Sequence, residues 1–158
     1  MTRTIVTGGS SALGVALVSK LSSIDSELVM VAGRNISENS CFHFDAEDKF
    51  DAKKLIQTSK PDTLYHLIGT TSSDWDKAHA VNVDAAEAIL RAVEVYAKDC
   101  KVVLIGSAAE YGRPENPKIG LRENDKLAPN TVYGLTKAKQ TLSSSFFAAN
   151  GVNVKVAR

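Results

Sequence analysis

Thr7-Gly8-Gly9-Ser10-Ser11-Ala12-Leu13-Gly14 is the stretch on which the reading of this chain turns. Ahead of it runs Arg3–Thr7, a short β-rich segment. Behind it, from Ala12 to about Ser23, Leu13, Leu17, Leu21 and Ile24 recur at helical spacing. Strand, glycine turn and helix in that order form the context in which such a turn has chemical meaning. Glycine lets the backbone bend tightly and approach a pyrophosphate, and the helix N-terminus adds N–H groups and the positive end of its dipole. Gly8, Ser10, Ser11, Ala12, Leu13 and Gly14 are therefore candidate phosphate contacts. A plain strand-to-helix turn without a ligand is the alternative that the glycines alone leave open.

Outward from the turn, strands and helices alternate. Leu28–Ala32 reads as a second strand, stopped by Gly33-Arg34-Asn35, and Cys41–Phe44 as a short third strand followed by Asp45. Lys49–Ser59 has a helical pattern. Thr63–Ile68 is apolar apart from Tyr65 and His66, as suits a central parallel strand covered on both faces. A long helix is expected from about Trp75 to Lys98. It carries two apolar stripes, Val81, Ala85, Ala88, Ile89, Ala92, Tyr96 and Val83, Ala86, Leu90, Val93, Ala97, so it packs on two sides. One side meets the sheet; the other meets either a partner subunit or a neighbouring helix. Lys101–Ile105 is a fifth strand, residues 106–129 a long loop, Asn130–Asn150 a helix and Val152–Ala157 a sixth strand. This alternation predicts an α/β fold, a Rossmann-type doubly wound parallel sheet of order 3-2-1-4-5-6 in one domain over residues 1–158. A chain ending at Arg158, directly after a strand, is expected to be a fragment of a longer one.

Composition narrows the function classes. The chain has 158 residues, 44 % apolar and 23 % charged, with a net charge of +1, so no electrostatic case exists for nucleic acid or an anionic membrane. No apolar run approaches the roughly 20 residues of a membrane span. The N-terminus enters Thr4-Ile5-Val6 directly, which leaves no room for a signal peptide. Cys41 and Cys100 form no metal or redox spacing and read as buried or neutral thiols. Together these predict a cytoplasmic protein.

Three further features carry chemistry. Tyr133-Gly134-Leu135-Thr136-Lys137 places a phenol and an ammonium one helical turn apart on one face. An ammonium beside a phenol favours the phenolate, which makes the pair a proton-transfer device if a proton nearby needs moving. Arg34 stands about 20 residues past the glycine turn, where an acidic residue would grip a ribose 2′-hydroxyl. A cation there accommodates a 2′-phosphate, so NADP(H) is favoured and NAD(H) is the alternative; a solvated surface arginine is the bland reading. Asp45 is placed either to accept from an adenine amino group or to cap a helix. His66, on a buried strand, reads as a hydrogen-bonded core residue.

With the glycine turn, Ser107, Tyr133 and Lys137 in hand, the chain resembles the extended short-chain dehydrogenase/reductases, the NAD-dependent epimerase/dehydratase family. The matching pieces are Thr7-Gly8 through Gly14, His66-Leu67-Ile68-Gly69, Asn82-Val83, Ser107-Ala108-Ala109-Glu110-Tyr111-Gly112, Pro129 through Lys137, and Asn153 through Arg158. The resemblance implies catalytic roles for Ser107, which orients the reacting oxygen, for Tyr133, the acid/base, and for Lys137, its modulator and a ribose ligand. It places Asn82 near the active site and Ile68, Gly69 and Thr70 along the nicotinamide side of the groove. The segment from Ser107 to Gly112 resembles nucleotide-sugar reductases and epimerases, which implies hydride transfer on a nucleotide-linked sugar and a homodimer through the 75–98 and 130–150 helices. Glu110 is expected to be an ordinary loop carboxylate, or a second acid/base in a dehydratase. The resemblance places a third glycine at Ser11 in the extended pattern, or at Ala12 in the classical frame, and a Cβ there is expected to crowd a pyrophosphate. The family continues with another strand and a small substrate-binding domain. A non-catalytic dinucleotide-binding sensor or scaffold is the rival reading.

Overall fold

The computed structural model describes residues 1–34, 42–48, 50–114 and 120–158. Strands β1 (Thr2–Thr7), β2 (Glu27–Gly33), β3 (Phe42–His43), β4 (Thr63–His66), β5 (Lys101–Ile105) and β6 (Val154–Ala157) form one sheet of order β3-β2-β1-β4-β5-β6. Every pairing is parallel. The helices are α1 (Ala12–Ser22), α2 (Asp51–Ser59), α3 (Trp75–His79), α4 (Ala85–Tyr96) and α5 (Val132–Ala149). The expected strand start at Cys41, the helix start at Lys49 and Asn35 lie outside the described residues.

Chain order and handedness determine which face each helix covers. From β1 the chain steps to β2 on one side, whereas β4, β5 and β6 follow on the other side. Right-handed crossovers then put α1 on one face of the sheet and α2, α3, α4 and α5 on the other. The core lies on that second face. Ile5, Leu64, Val102 and Leu104 from the strands meet Leu55 and Ile56 of α2, Ile89, Leu90 and Val93 of α4, and Phe147 of α5. Helix α4 packs against both α2 and α5, so its second apolar stripe meets neighbouring helices.

Two local features depart from the pattern-based expectation. The long helix is interrupted by a π-helical turn, Ala80–Asp84, between α3 and α4. An extra residue in a helical turn re-aims the side chains that follow, and such turns gather at functional sites. Here it buries Val81, Asn82 and Val83 together. On the other face, α1 contributes Gly14 as its buried residue while Leu13 and Val15 are exposed. Leu17 and Leu21 are half-buried and Ile24 is exposed, so the expected stripe is only partly covered. Tyr65 and Val103, whose side chains alternate away from the core face, are half-buried as well.

Candidate active site

The carboxyl ends of the strands converge where the sheet order reverses, between β1 and β4. That is where open parallel sheets bind ligands. The glycine turn forms the floor there. Gly8 has φ +74°, a left-handed conformation that favours glycine, and a Cβ on it would press on Ile68 at 3.1 Å. A Cβ on Gly14 would lie 2.6 Å from Gly9 Cα and closer still to the Gly8 carbonyl. The turn and the helix thus touch backbone to backbone. Ser11 is the N-cap of α1. Its hydroxyl accepts from the Gly14 N–H at 3.0 Å and donates to the Gly8 carbonyl at 2.9 Å. The side chain is folded back into the turn, where it serves the helix. The N–H groups of Ala12 and Leu13, in the first turn, have no intrahelical acceptor.

Above this floor runs a groove of about 350 Å³, lined among others by Gly8, Ser10, Arg34, Asp45, Ile68 and Gly69. Arg34 is exposed at the end of β2. Asp45 holds its own turn in place by accepting from the Glu47 N–H at 3.0 Å, and it does not cap α2. Lys77, Thr70 and Glu47 also line the groove. The sequence reading assigned no role to Lys77 or Glu47. Lys77 stands one helical turn before Val81, which the sequence placed in a packing stripe and the structure places on the groove.

The second half of the site lies beyond β4 and β5. Asn82, fully buried in the π turn, accepts from the Thr70 N–H at 2.8 Å and donates to the Thr70 carbonyl and to Thr136 Oγ1, both at 2.9 Å. Its amide therefore pins the loop after β4 to α5, and it acts on the groove through Thr70. Thr131 caps α5 by accepting from the Gly134 N–H at 3.0 Å, which places Tyr133 in the first turn, half-buried. Lys137, four residues on, is buried with 3 % exposure. A Cβ on Gly69 would stand 3.8 Å from Lys137 Nζ, so the ammonium lies against the groove wall. Nζ donates to Gln140 Oε1 at 2.7 Å, and Gln140 Nε2 donates to the Ile105 carbonyl at 3.2 Å. Burial lowers the Lys137 pKa from 10.5 to about 8, against the opposing pull of the Glu110 carboxylate.

Ser107 follows β5 and caps a short 3-10 turn, Ala108–Tyr111. Its hydroxyl accepts from the Ala109 N–H at 3.2 Å, which leaves the O–H proton to donate elsewhere. This turn packs on α5, with the Ala109 carbonyl against Gly134, next to Tyr133 in the chain. Glu110 is not the solvated loop carboxylate that its loop position suggested. It has 0 % exposure, accepts from the Ser107 N–H and the Thr141 hydroxyl, each at 2.8 Å, and stands 3.9 Å from Arg158. Its Oε1 closes a local capping box with the Ser107 N–H while its Oε2 reaches Thr141 and Arg158, so it holds the Ser107 turn onto α5. Among the described residues no cluster of His, Cys, Asp and Glu could hold a metal ion.

Of the expected site residues, Gly8, Ser10, Arg34, Asp45, Ile68 and Gly69 line the groove. Ser11, Ala12, Leu13 and Gly14 carry the turn into α1 and are not among the residues that line the groove. Lys137 reaches its wall from α5, while Ser107 and Tyr133 sit on the 3-10 turn and the α5 end that pack together. The residues that hold these groups, Thr136, Gln140 and Glu110, were not assigned that work from sequence. Two of them had a usable signal: Gln140 in its i+3 spacing from Lys137, and Glu110 in the capping-box spacing Ser107-x-x-Glu110 that the structure forms.

A family model described as the NAD dependent epimerase/dehydratase family matches residues 4–158. Among solved structures, a short-chain dehydrogenase/reductase superfamily protein from Agrobacterium tumefaciens with bound NAD aligns with TM-score 0.86 at 25 % identity, over 99 % of this chain and 48 % of that one. L-threonine dehydrogenase from Clostridium difficile aligns with TM-score 0.85 at 24 % identity, over 100 % and 53 %. UDP-glucuronic acid 4-epimerase from Bacillus cereus, in complex with NAD, aligns with TM-score 0.81 at 21 % identity, over 99 % and 55 %. The chain spans about half the length of the structures it matches.

Proposed function

The chain belongs to the NAD dependent epimerase/dehydratase family, and from that premise we propose that it forms the dinucleotide-binding half of an NAD(P)-dependent enzyme acting on a nucleotide-linked sugar. The single observation that carries this reading is the Lys137 ammonium, buried against the groove wall at Gly69 and one helical turn from Tyr133. A buried ammonium is costly to maintain, and groups perturbed in this way gather at functional sites. The residues fit a dinucleotide. Gly8 lines the groove with φ +74°, Gly14 lets the turn lie directly against α1, and the first turn of α1 supplies N–H groups to a pyrophosphate. Arg34 suits the 2′-phosphate of NADP(H), although two of the structures described above hold NAD, so that preference rests on Arg34 alone.

When bound, the nicotinamide supplies or accepts the hydride. This chain's residues do the rest. Tyr133 gives or takes the proton of the reacting hydroxyl, with the Lys137 charge beside it. Ser107 donates its free O–H to the reacting oxygen and fixes its direction. Lys137 holds ribose hydroxyls with the donors that Gln140 does not use. UDP-glucuronic acid 4-epimerase among the structural relatives motivates the sugar-nucleotide substrate class.

The test has two steps. The chain should bind NADPH and NADH in fluorescence titrations, and Tyr133→Phe should abolish turnover of a UDP- or dTDP-sugar while sparing dinucleotide affinity. Turnover that survives Tyr133→Phe would overturn the assignment of the acid/base.

A further inference from the structure

We propose that Gln140 is a positioning residue of this site, whose side-chain amide fixes the Lys137 ammonium at the junction of β4 and β5 and holds it in its charged form. The inference rests on the proposed function for its purpose, since the ammonium matters because a dinucleotide and Tyr133 use it. Gln140 is 1 % exposed, and its Nε2 donates to the Ile105 carbonyl at the end of β5 at 3.2 Å. That contact dictates the amide's direction. Turned over, the amide would set an oxygen against a carbonyl and an NH₂ group against an ammonium. With the direction fixed by β5, Oε1 faces Lys137 Nζ at 2.7 Å. An amide oxygen accepts from an ammonium better than from a neutral amine, so the contact favours the protonated lysine.

Other charged and titratable groups that face Lys137 do not replace this contact. Glu110, on the 3-10 turn, has its oxygens engaged by the Ser107 N–H, the Thr141 hydroxyl and Arg158. His66, on β4, bonds Thr7 Oγ1 at 2.7 Å. Tyr133 lies one turn away on α5 itself. Burial already pulls Lys137 toward neutrality, down to about 8. Without Gln140 Oε1 the same burial would act with less to oppose it.

The experiment follows the ionisation of Lys137 directly. Lysine side chains labelled with carbon-13 at Cε are titrated by NMR from about pH 6 to about pH 11 around the ordinary lysine range. The Lys137 resonance is assigned by its loss in Lys137→Met. Gln140→Met, which keeps the unbranched shape, and Gln140→Leu should each lower the Lys137 midpoint by about one pH unit or more. Ser143→Ala removes a hydrogen bond from α5 to Glu87 without touching Lys137, and should leave the midpoint unmoved. Folded Gln140 variants with an unchanged midpoint overturn the proposal. In the unsubstituted protein a held ammonium gives a slowly exchanging Nζ proton signal. Its absence would overturn the proposal even if neither variant folds. A wild-type chain that binds neither NADH nor NADPH overturns the function instead, whereas intact binding with unchanged midpoints overturns the role of Gln140 alone.

Discussion

His66, at the end of β4, shows how burial sets what a titratable group can do. It is 2 % exposed and its Nδ1 pairs with the Thr7 hydroxyl, while Nε2 has no protein partner among the described residues. Burial first, and then the Lys137 charge, lower its pKa from 6.5 to about 3. The ring is neutral at physiological pH and joins the end of β1 to the end of β4. Between about pH 6.5 and about pH 3 the unfolded chain binds a proton that the folded chain refuses, so stability falls on acidification, by up to about 1.4 kcal/mol per pH unit. Urea unfolding across that range should therefore show a flatter pH dependence in His66→Leu than in the wild type, whatever the absolute stability of the variant. Arg34 makes the other prediction at this scale. It lines the groove on an exposed strand end, so Arg34→Ala should leave folding intact. It should weaken NADPH binding about tenfold or more and leave NADH binding nearly unchanged. Tighter binding of NADH than NADPH by the wild type would count against the arginine's role.

At the scale of elements, the π turn is the joint on which the site depends. It turns Asn82 inward so that one amide serves Thr70, on the groove, and Thr136, on α5. A regular α-helix over the same residues would rotate that side chain away from one partner or the other. Asn82→Ala removes three hydrogen bonds of a fully buried amide at once. It should cost about 2–3 kcal/mol of stability by denaturant unfolding. Because Thr70 lines the groove, dinucleotide affinity should fall as well, as isothermal titration would register. Full affinity in Asn82→Ala would show that the Thr70 loop holds its place by other means. The glycine turn belongs to the same scale: Ser11 takes the hydrogen-bonding work of a cap that a glycine could not do.

For the molecule as a whole, the two faces of the sheet differ, and so do the two faces of the helical layer. On the core side, α2, α4 and α5 bury a continuous apolar cluster against the strands. Outward from it, α5 presents Leu135, Leu142 and Phe146, spaced to share one stripe, and Phe146 is 64 % exposed. Trp75 of α3 is exposed too, and Lys139 of α5 lies over its ring at 5.4 Å, which links the two helices into one surface. An apolar surface of this kind suits a second copy of the chain, and we propose a homodimer through the 75–98 and 130–150 helices. Sedimentation equilibrium should find a dimer for the wild type and a monomer for Phe146→Glu, with the fold retained by circular dichroism. A wild type that sediments as a monomer would remove the proposal.

The sequence alone determined the order and type of nearly every element, because strand and helix periodicities are local and the glycine turn marks where the first strand meets its helix. It also carried the resemblance to the family, on the glycine turn, Ser107, Tyr133 and Lys137, which the family model over residues 4–158 bears out. Tertiary structure decided what those residues touch. The inward turn of Asn82, the burial of Glu110 and the Gln140 anchor all depend on contacts between segments distant in the chain, such as Asn82 with Thr136, Glu110 with Thr141 and Gln140 with Ile105. A hydrogen bond across 31 or 54 residues leaves no periodic trace, so only the packed fold could reveal how the site is held.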